Sequence, residues 1–494
     1  MESAMDYYDR INACWVGKCI GGTLGGPYEG QVGPHNLSFY DPLPDKALAN
    51  DDLDLQLVWL KCFEQSQFDI GYDTFRKAWL NWVQYGMDEF GVALWNLKRG
   101  INPPLSGLHN NWFTNGMGAA IRSEIWACLF PGQPAMAAHF AKIDASVDHA
   151  VEGVFGEMVL AAAQSAAFTT TSVEDALKTG LKCISGDSQI HKIFEHTQNL
   201  VKMNVSFLDA RQSILNRFGS HNFTDCLMNL AFIFYALLSG KGDFEKTILT
   251  AVNFGMDSDC TAATCGAFVG ILKGMNGIDS KWAQPVGQQI VVADFLSGKG
   301  LPVTISELTD RTVKLSQNMR KQFLNLKPDL MLPHTIDNID DGHTWLLFAD
   351  EGQCNDFEKQ PTKTKYNMIT TPCIHIPIAN YLKLPLQSPC LLTNVTANTD
   401  INAFIMLCSD AGITAWLDDQ MILNYHGRRP AVPAPHRTDG GANVPVQLKK
   451  NLNYKLKIRL WSVTHPTTFS FSVFDKNNHY ITCCSFDAIG LLPK

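Results

Sequence analysis

The hydrophobic period of this chain changes once, near residue 327, and that change limits the folds open to it. Before it, apolar residues recur at three and four positions, the spacing of helices with one buried face. "PAMAAHFAKIDASVDHAVEGVFGEMVLAAAQSAAF" (134–168) keeps that spacing throughout and is rich in alanine. "SVEDALKTGLKCI" (172–184) opens on Ser-x-x-Asp, close to a capping box, and 303–326 reads as one long amphipathic helix. A polar, proline-bearing linker, "KPDLMLPHTIDNIDDG" (327–342), ends the pattern. Beyond it residues alternate: Tyr454, Leu456, Ile458 and Leu460 with Lys455, Lys457 and Arg459, and then Phe469, Phe471 and Val473. "GITAWLDDQMILNY" (412–425) has the form of a hairpin turning at Asp418-Asp419. The expectation is therefore a multidomain protein: an all-α domain over 1–326, a linker over 327–342, and an all-β sandwich of jelly-roll type over 343–494.

Composition narrows the function. At 494 residues, 46% hydrophobic and 18% charged, the chain is globular and long enough for two or three domains. A net charge of −8 gives no electrostatic reason to expect nucleic acid as a partner. Fourteen cysteines occur without one C-x-x-C pair, so the usual spacing of structural zinc sites is missing. Reduced, buried thiols are expected, which suits a cytoplasmic protein. The N-terminus carries acids where a signal peptide carries bases, and the longest apolar run, "LMNLAFIFYALL" (227–238), is too short to span a bilayer. No membrane partner is expected.

Two helix starts are unusually acidic. "NDDLDLQ" (50–56) places Asp51, Asp52 and Asp54 behind Asn50. Taken alone, this is a good N-cap followed by carboxylates placed favourably against the helix dipole. Two hundred residues on, "FGMDSDC" (254–260) sets Asp257 and Asp259 before a helix lined by Ala262, Ala263, Gly266, Ala267 and Gly270. That small-residue face lets another helix approach closely and buries the segment, and buried carboxylates need partners. If the two starts face each other, each carboxylate pair about 4 Å apart repels by about 4 kcal/mol at an effective dielectric near 20, against about 0.3–1 kcal/mol from a helix dipole. Protons or a cation must then bind, and oxygen donors favour Mg2+, Mn2+ or Ca2+. Two unrelated helix starts far apart remain the alternative.

Taken together these motifs resemble the ADP-ribosylglycohydrolase family. The Gly-rich first helix and loop, "GKCIGGTLGGPYEG" (17–30), ends at Glu29. A Thr-Asp-Asp helix start is matched by Asn50, Asp51 and Asp52, an "N-G-x-x-M/I-R" segment by "TNGMGAAIRSEIWACLFPG" (114–132), and a "G-G-D-T-D-T" start by "FGMDSDC", with Trp282 following. The resemblance spans roughly residues 10–320 and implies an all-α bundle with a binuclear Mg2+ or Mn2+ site. The implied metal residues are Asn50, Asp51, Asp52, Asp257, Asp259 and Cys260. The two threonines that ligate metal in the family are both replaced, by Asn50 and Cys260. A thiol suits a hard cation poorly, so Ser258 or Thr261 could take its place. Glu29 and Asp52 are the implied catalytic residues, Glu29 as general acid/base. Asn115, Gly116, Arg122 and His149 are the implied substrate-cleft residues, although Arg122 could equally form a structural ion pair with Glu124 or another acid, and His149 could simply pack.

The implied activity is metal-dependent hydrolysis of a glycosidic bond in an ADP-ribosyl or related ribosyl substrate, small or protein-linked. A carbohydrate substrate such as a furanoside, or a non-catalytic binding role, are the competing readings. The aromatic stretch 79–107 reads as core with some rings free to stack on a ligand, and "INPPLSGLHNN" (101–111) as a loop bordering the cleft. "FIMLCSDAGITAWLDDQMILNYHGRRPAVPAPHR" (404–437) resembles sugar-binding β-sandwich modules, with "RRPAVPAPHR" (428–437) expected as a solvent-facing loop.

Overall fold

The computed structural model describes residues 4–66, 69–333, 339, 341–384, 388–427, 430–437, 442–463 and 466–492. Helices fill the first part of the chain and antiparallel strands dominate after residue 342, at the change of period. By packing, Met1–Gln84, Asn102–Leu108 and Phe113–His334 form one compact unit, and Tyr85–Ile101, His109–Trp112 and Thr335–Lys494 a second.

In the helical unit the long apolar run is the buried helix Cys226–Gly240, capped by Asp225, whose carboxylate accepts from the Leu227 and Met228 amides. Ser172 caps Val173–Leu181, as its sequence predicts, and Thr304 caps Ile305–Gln322. The stretch 134–168 is not continuous. It forms two helices, Pro134–Ala145 and Glu152–Ala167, broken where Asp148 and His149 turn into the interior. No glycine or proline marks that break. Its cause is tertiary, the demand of buried Arg122 for the carboxylates of Asp144 and Asp148.

Ala4–Gly25 packs closely against Ser258–Lys273, and the two run antiparallel. A Cβ at Gly17 would lie 2.2 Å from the Gly266 carbonyl oxygen, one at Gly21 2.1 Å from that of Ala262, and one at Gly25 2.3 Å from that of Ser258. Glycine at every fourth position thus brings two backbones together, and the end of the first helix meets the start of the second. Gly21→Val is expected to lower unfolding free energy by about 3 kcal/mol in urea titration, because backbone rather than a movable side chain blocks the new atoms.

The second unit is a two-sheet antiparallel sandwich. Its strands are β1 (His343–Phe348), β2 (Asn367–Thr371), β3 (His375–Pro377), β4 (Cys390–Ala397), β5 (Ile401–Ser409), β6 (Gly412–Leu417), β7 (Gln420–Tyr425), β8 (Ala442–Leu448), β9 (Asn453–Trp461), β10 (Thr468–Phe474) and β11 (Cys484–Asp487). One sheet runs β2-β1-β4-β9-β6-β7, with β11 also on β4, and the other β3-β10-β5-β8. Leu456, Ile458 and Leu460 of β9 share the core with Phe469, Phe471 and Val473 of β10. The β6–β7 hairpin turns at Asp418 and Asp419, both at positive φ, as a two-residue turn of matching twist requires.

Three features depart from expectation or lay hidden. A helix, Glu351–Lys359, covers the outer face of the larger sheet, where Glu358 accepts from Lys455 at 2.6 Å and Lys457 at 2.8 Å. Helix Asp88–Lys98 packs into this unit through a Trp95–Tyr480 ring stack 5.4 Å apart. The loop expected to face solvent does so only in part: Pro430 and His436 are exposed, but Val432 and Ala434 are buried and Arg437 pairs with Asp88, while Arg428 and Arg429 lie outside the described residues. Two apolar residues and a buried carboxylate partner outweigh the polar look of that segment.

His375 gives this unit an acid sensitivity. Its Nε2 donates to the Asn110 carbonyl at 3.2 Å and its Nδ1 accepts from Ser470 at 2.8 Å, while burial pushes its pKa down to about 4. A depressed base stabilises above its unfolded pKa and loses that contribution as pH falls through the folded value. Between about pH 6.5 and 4 the unit should lose about 3 kcal/mol, a loss that His375→Asn removes in a pH series of thermal melts.

All fourteen cysteines are thiols outside any disulfide, and ten are buried. Among the described residues, no helix is long and apolar enough to cross a membrane.

Candidate active site

The two acidic helix starts do face each other. Asn50 links them: its Oδ1 accepts from the Asp52 amide at 2.7 Å, capping Asp51–Gln65, while its Nδ2 donates to Asp259 Oδ2 at 3.1 Å. The Asn50 side chain can lie there because Gly22 offers no Cβ, which would stand 3.1 Å from Nδ2. Glu29 arrives from the loop after the first helix. Gly30 donates to the Met256 carbonyl at 2.8 Å and Met256 to that of Gln31 at 2.7 Å, so the Glu29 loop is zipped to the residue before Asp257.

Two donor groups result. Asp52, Asp259 and Cys260 bring one atom each within 4.8 Å of one another, all buried, and so do Glu29, Asp257 and Asp259, with Glu29 exposed. Asp259 belongs to both. Both oxygens of Asp52, both of Asp257 and Oδ1 of Asp259 are buried without a nitrogen or oxygen hydrogen-bond donor. Burial and the neighbouring charges of Asp259 and Glu29 push the Asp257 carboxyl well above the usual range. Burial, with Asp259 and Asp51 adding to it, does the same to Asp52, despite Lys18 nearby. The Cys260 thiol is raised by burial and by the carboxylates of Asp257, Asp259, Asp52 and Asp51. Crowded, unsatisfied carboxylate oxygens are the donor set that a divalent cation fits. The hydroxyls that could have replaced Cys260 are turned to backbone: Ser258 donates to the Gly25 carbonyl at 3.0 Å and Thr261 to that of Ser258 at 3.2 Å. Asp54, third acid of the opening motif, points elsewhere and accepts from the Ala293 amide at 3.0 Å.

Residues 3–321 match the family described as ADP-ribosylglycohydrolase. The chain belongs to the ADP-ribosylglycohydrolase family. A protein of Archaeoglobus fulgidus, itself described only as uncharacterized, is 24% identical over 328 residues, covering 62% of this chain and 99% of that one. Among solved structures, an "ADP-ribosylglycohydrolase-related protein complex" is similar at 18% identity and a TM-score of 0.43, over 64% of this chain and 99% of that one. A β-glucosidase from Kluyveromyces marxianus is similar over 29% of this chain and 17% of that one, at 12% identity and a TM-score of 0.22. The ADP-ribosylglycohydrolase family is hydrolytic and generally uses divalent metals.

The other residues that the family resemblance implied are engaged within the protein. Asn115 offers its carbonyl to the Cys226 amide at 2.7 Å, and Gly116 forms a β-bridge with Asp225. Arg122 is fully buried and spends every donor inside the protein, on Asp144, Asp148 and the Gly118 carbonyl, its Nε donating to Asp144 Oδ1 at 3.0 Å and its Nη2 to Asp148 Oδ1 at 2.7 Å. Its partners are thus other acids, and Glu124 is not among them. His149 extends the chain: its Nδ1 lies 2.9 Å from Asp148, and its Nε2 accepts from the Ala119 amide at 3.4 Å. Gly107, from the loop after Ile101, presses its backbone on that of His149.

Lys18 is not among the residues that the motifs single out, yet it sits against the acidic cluster. Its Nζ lies 3.1 Å from Glu124 Oε2 and 3.6 Å from Asp52 Oδ2, and donates to the Ile121 carbonyl at 2.7 Å. Burial works against its charge, but Glu124 and Asp52 outweigh it and push its pKa up. Gln56 braces the same acids, donating to Glu124 at 2.9 Å and to the Asp52 carbonyl at 2.8 Å. The available signal was a lysine inside an otherwise apolar, glycine-rich helix, since a buried lysine requires an acid.

Proposed function

We propose that this protein is a divalent-cation-dependent glycosidase acting on an ADP-ribosyl or related ribosyl linkage, in a small molecule or on a protein. One observation carries the reading: buried oxygens of Asp52, Asp257 and Asp259 without a nitrogen or oxygen donor lie in two donor groups that share Asp259, one of them including the solvent-facing Glu29. Asp257 and Asp259 beside Glu29, and Asp52 and Asp259 beside Cys260, would hold divalent cations, with Asn50 and Asp51 bordering them. A divalent cation in such a site supplies charge that orients ribose hydroxyls and stabilises the departing oxygen.

The chain's own residues do the rest. Glu29 stands on the rim, its loop held by the Gly30 and Met256 backbone bonds, and takes a proton from the attacking water or gives one to the leaving group. As the water oxygen bonds to the anomeric carbon, the glycosidic bond breaks and the leaving group departs protonated. Asn115 and Gly116 border the substrate. Arg122 and His149 act as positioning residues through Asp148, because their polar atoms are engaged within the protein.

The experiment is hydrolysis of an ADP-ribosylated arginine peptide, with pentofuranosides in parallel, in Mg2+, Mn2+ or chelator. Cation-dependent release of ADP-ribose, reduced roughly a hundredfold or more in Glu29→Gln, is the expected result. Cleavage of furanosides alone would move the protein to carbohydrate substrates, and no cleavage with bound cation would leave a binding protein.

A further inference from the structure

The two donor groups of the acidic cluster are chemically unlike. Glu29, Asp257 and Asp259 offer oxygen only. The other group sets the buried Cys260 Sγ within 4.8 Å of carboxylate atoms of Asp52 and Asp259. Cys260 is 7% exposed, and both Asp52 oxygens and Oδ1 of Asp259 lack donors around it. The nearby hydroxyls of Ser258 and Thr261 face backbone carbonyls, so residues 258–261 present the Asp259 carboxylate and the Cys260 sulfur to this corner. Lys18, 3.6 Å from Asp52, also makes this corner less negative than the all-oxygen one. Affinity here draws less on charge and more on the sulfur bond.

We propose that the two corners select different cations: the Glu29–Asp257–Asp259 corner a hard ion such as Mg2+ or Mn2+, and the Asp52–Asp259–Cys260 corner a borderline, thiophilic ion such as Co2+ or Zn2+. This rests on the cation-dependent reading above. Thiolate ligands favour the later first-row divalent ions over Mg2+, and Asp259 is available to both corners. As the Sγ–metal bond forms, the thiol proton leaves to solvent, so each ion taken up at this corner releases one proton from Cys260.

The test is titration of the metal-free, full-length protein with Co2+, followed by the near-ultraviolet sulfur-to-cobalt charge-transfer absorption, with calorimetry of Co2+ and of Mg2+ alongside. Native protein should develop the band with one equivalent of Co2+. Cys260→Ser should lack it, lose roughly tenfold or more in Co2+ affinity, and keep Mg2+ binding at the other corner. Cys260→Ala, with near-ultraviolet circular dichroism on both variants, separates loss of the ligand from loss of the fold. Co2+ binding without the band, or a band that persists in Cys260→Ser, overturns the proposal and leaves the cation-dependent reading standing. Binding of neither ion to native protein overturns both.

Discussion

The Asp52→Asn, Asp257→Asn double variant is expected to bind neither Mg2+ nor Mn2+ and to gain no thermal stability from either ion. Native protein should gain about 2.7 kcal/mol from a cation at a hundred times its dissociation constant, because the ion binds the folded chain and not the unfolded one. Without metal the order reverses, and the double variant melts higher than native. Both carboxyls are raised by burial and by neighbouring acids. A carboxyl with a raised folded pKa stabilises fully below its unfolded value near 4, and that contribution is lost as pH rises through the folded value. The advantage of the metal-free double variant should therefore widen as pH climbs above the ordinary carboxylate range. Scanning calorimetry at several pH values, with chelator and with saturating Mg2+, checks both signs. A native melting point indifferent to Mg2+ and Mn2+ would return Asp51 and Asp52 to the simple role of starting a helix.

Lys18→Met is expected to destabilise the protein by about 3–5 kcal/mol, the range for removing one partner of a buried ion pair. The side chain replaced is 2% exposed and serves Glu124, itself fully buried, at 3.1 Å. Methionine fills the volume but leaves Glu124 with the amides of Gln56 at 2.9 Å and Gln164 at 3.2 Å as its remaining side-chain donors. Adding Glu124→Gln should restore most of the loss, since the unpaired charge and not the missing amine carries the cost. Urea denaturation of the two single variants and the double variant closes the cycle. Equal loss in the single and double variants would show that Lys18 matters by its contact with the Ile121 carbonyl or Asp52 instead.

Much of the architecture was legible because it rests on local rules. The helical spacing before residue 327, the alternation of Leu456, Ile458 and Leu460, and the Asp418-Asp419 turn each report a short-range preference that the fold keeps. The cap at Ser172 is of the same kind. Helix Glu351–Lys359 was obscured because it buries only one stripe, through Cys354 and Phe357, against the outer face of a sheet. The break at 146–151 was invisible because its cause, Arg122, lies more than twenty residues away in sequence.

The sequence by itself determined the helical and strand halves and the acid-rich helix starts at Asn50 and Asp257. It also determined the glycine and alanine faces that let Ala4–Gly25 and Ser258–Lys273 touch. Only the tertiary structure decided which acids meet. Asp52 turns to Asp259 and Cys260 while Asp54, two residues on, turns to Ala293, because successive helical side chains point in different directions. It also decided that Arg122 serves Asp144 and Asp148, and that Lys18 serves Glu124 and Asp52. A charge taken from water is matched by whatever the packed chain brings within a few ångströms, and that neighbour has no fixed separation in sequence.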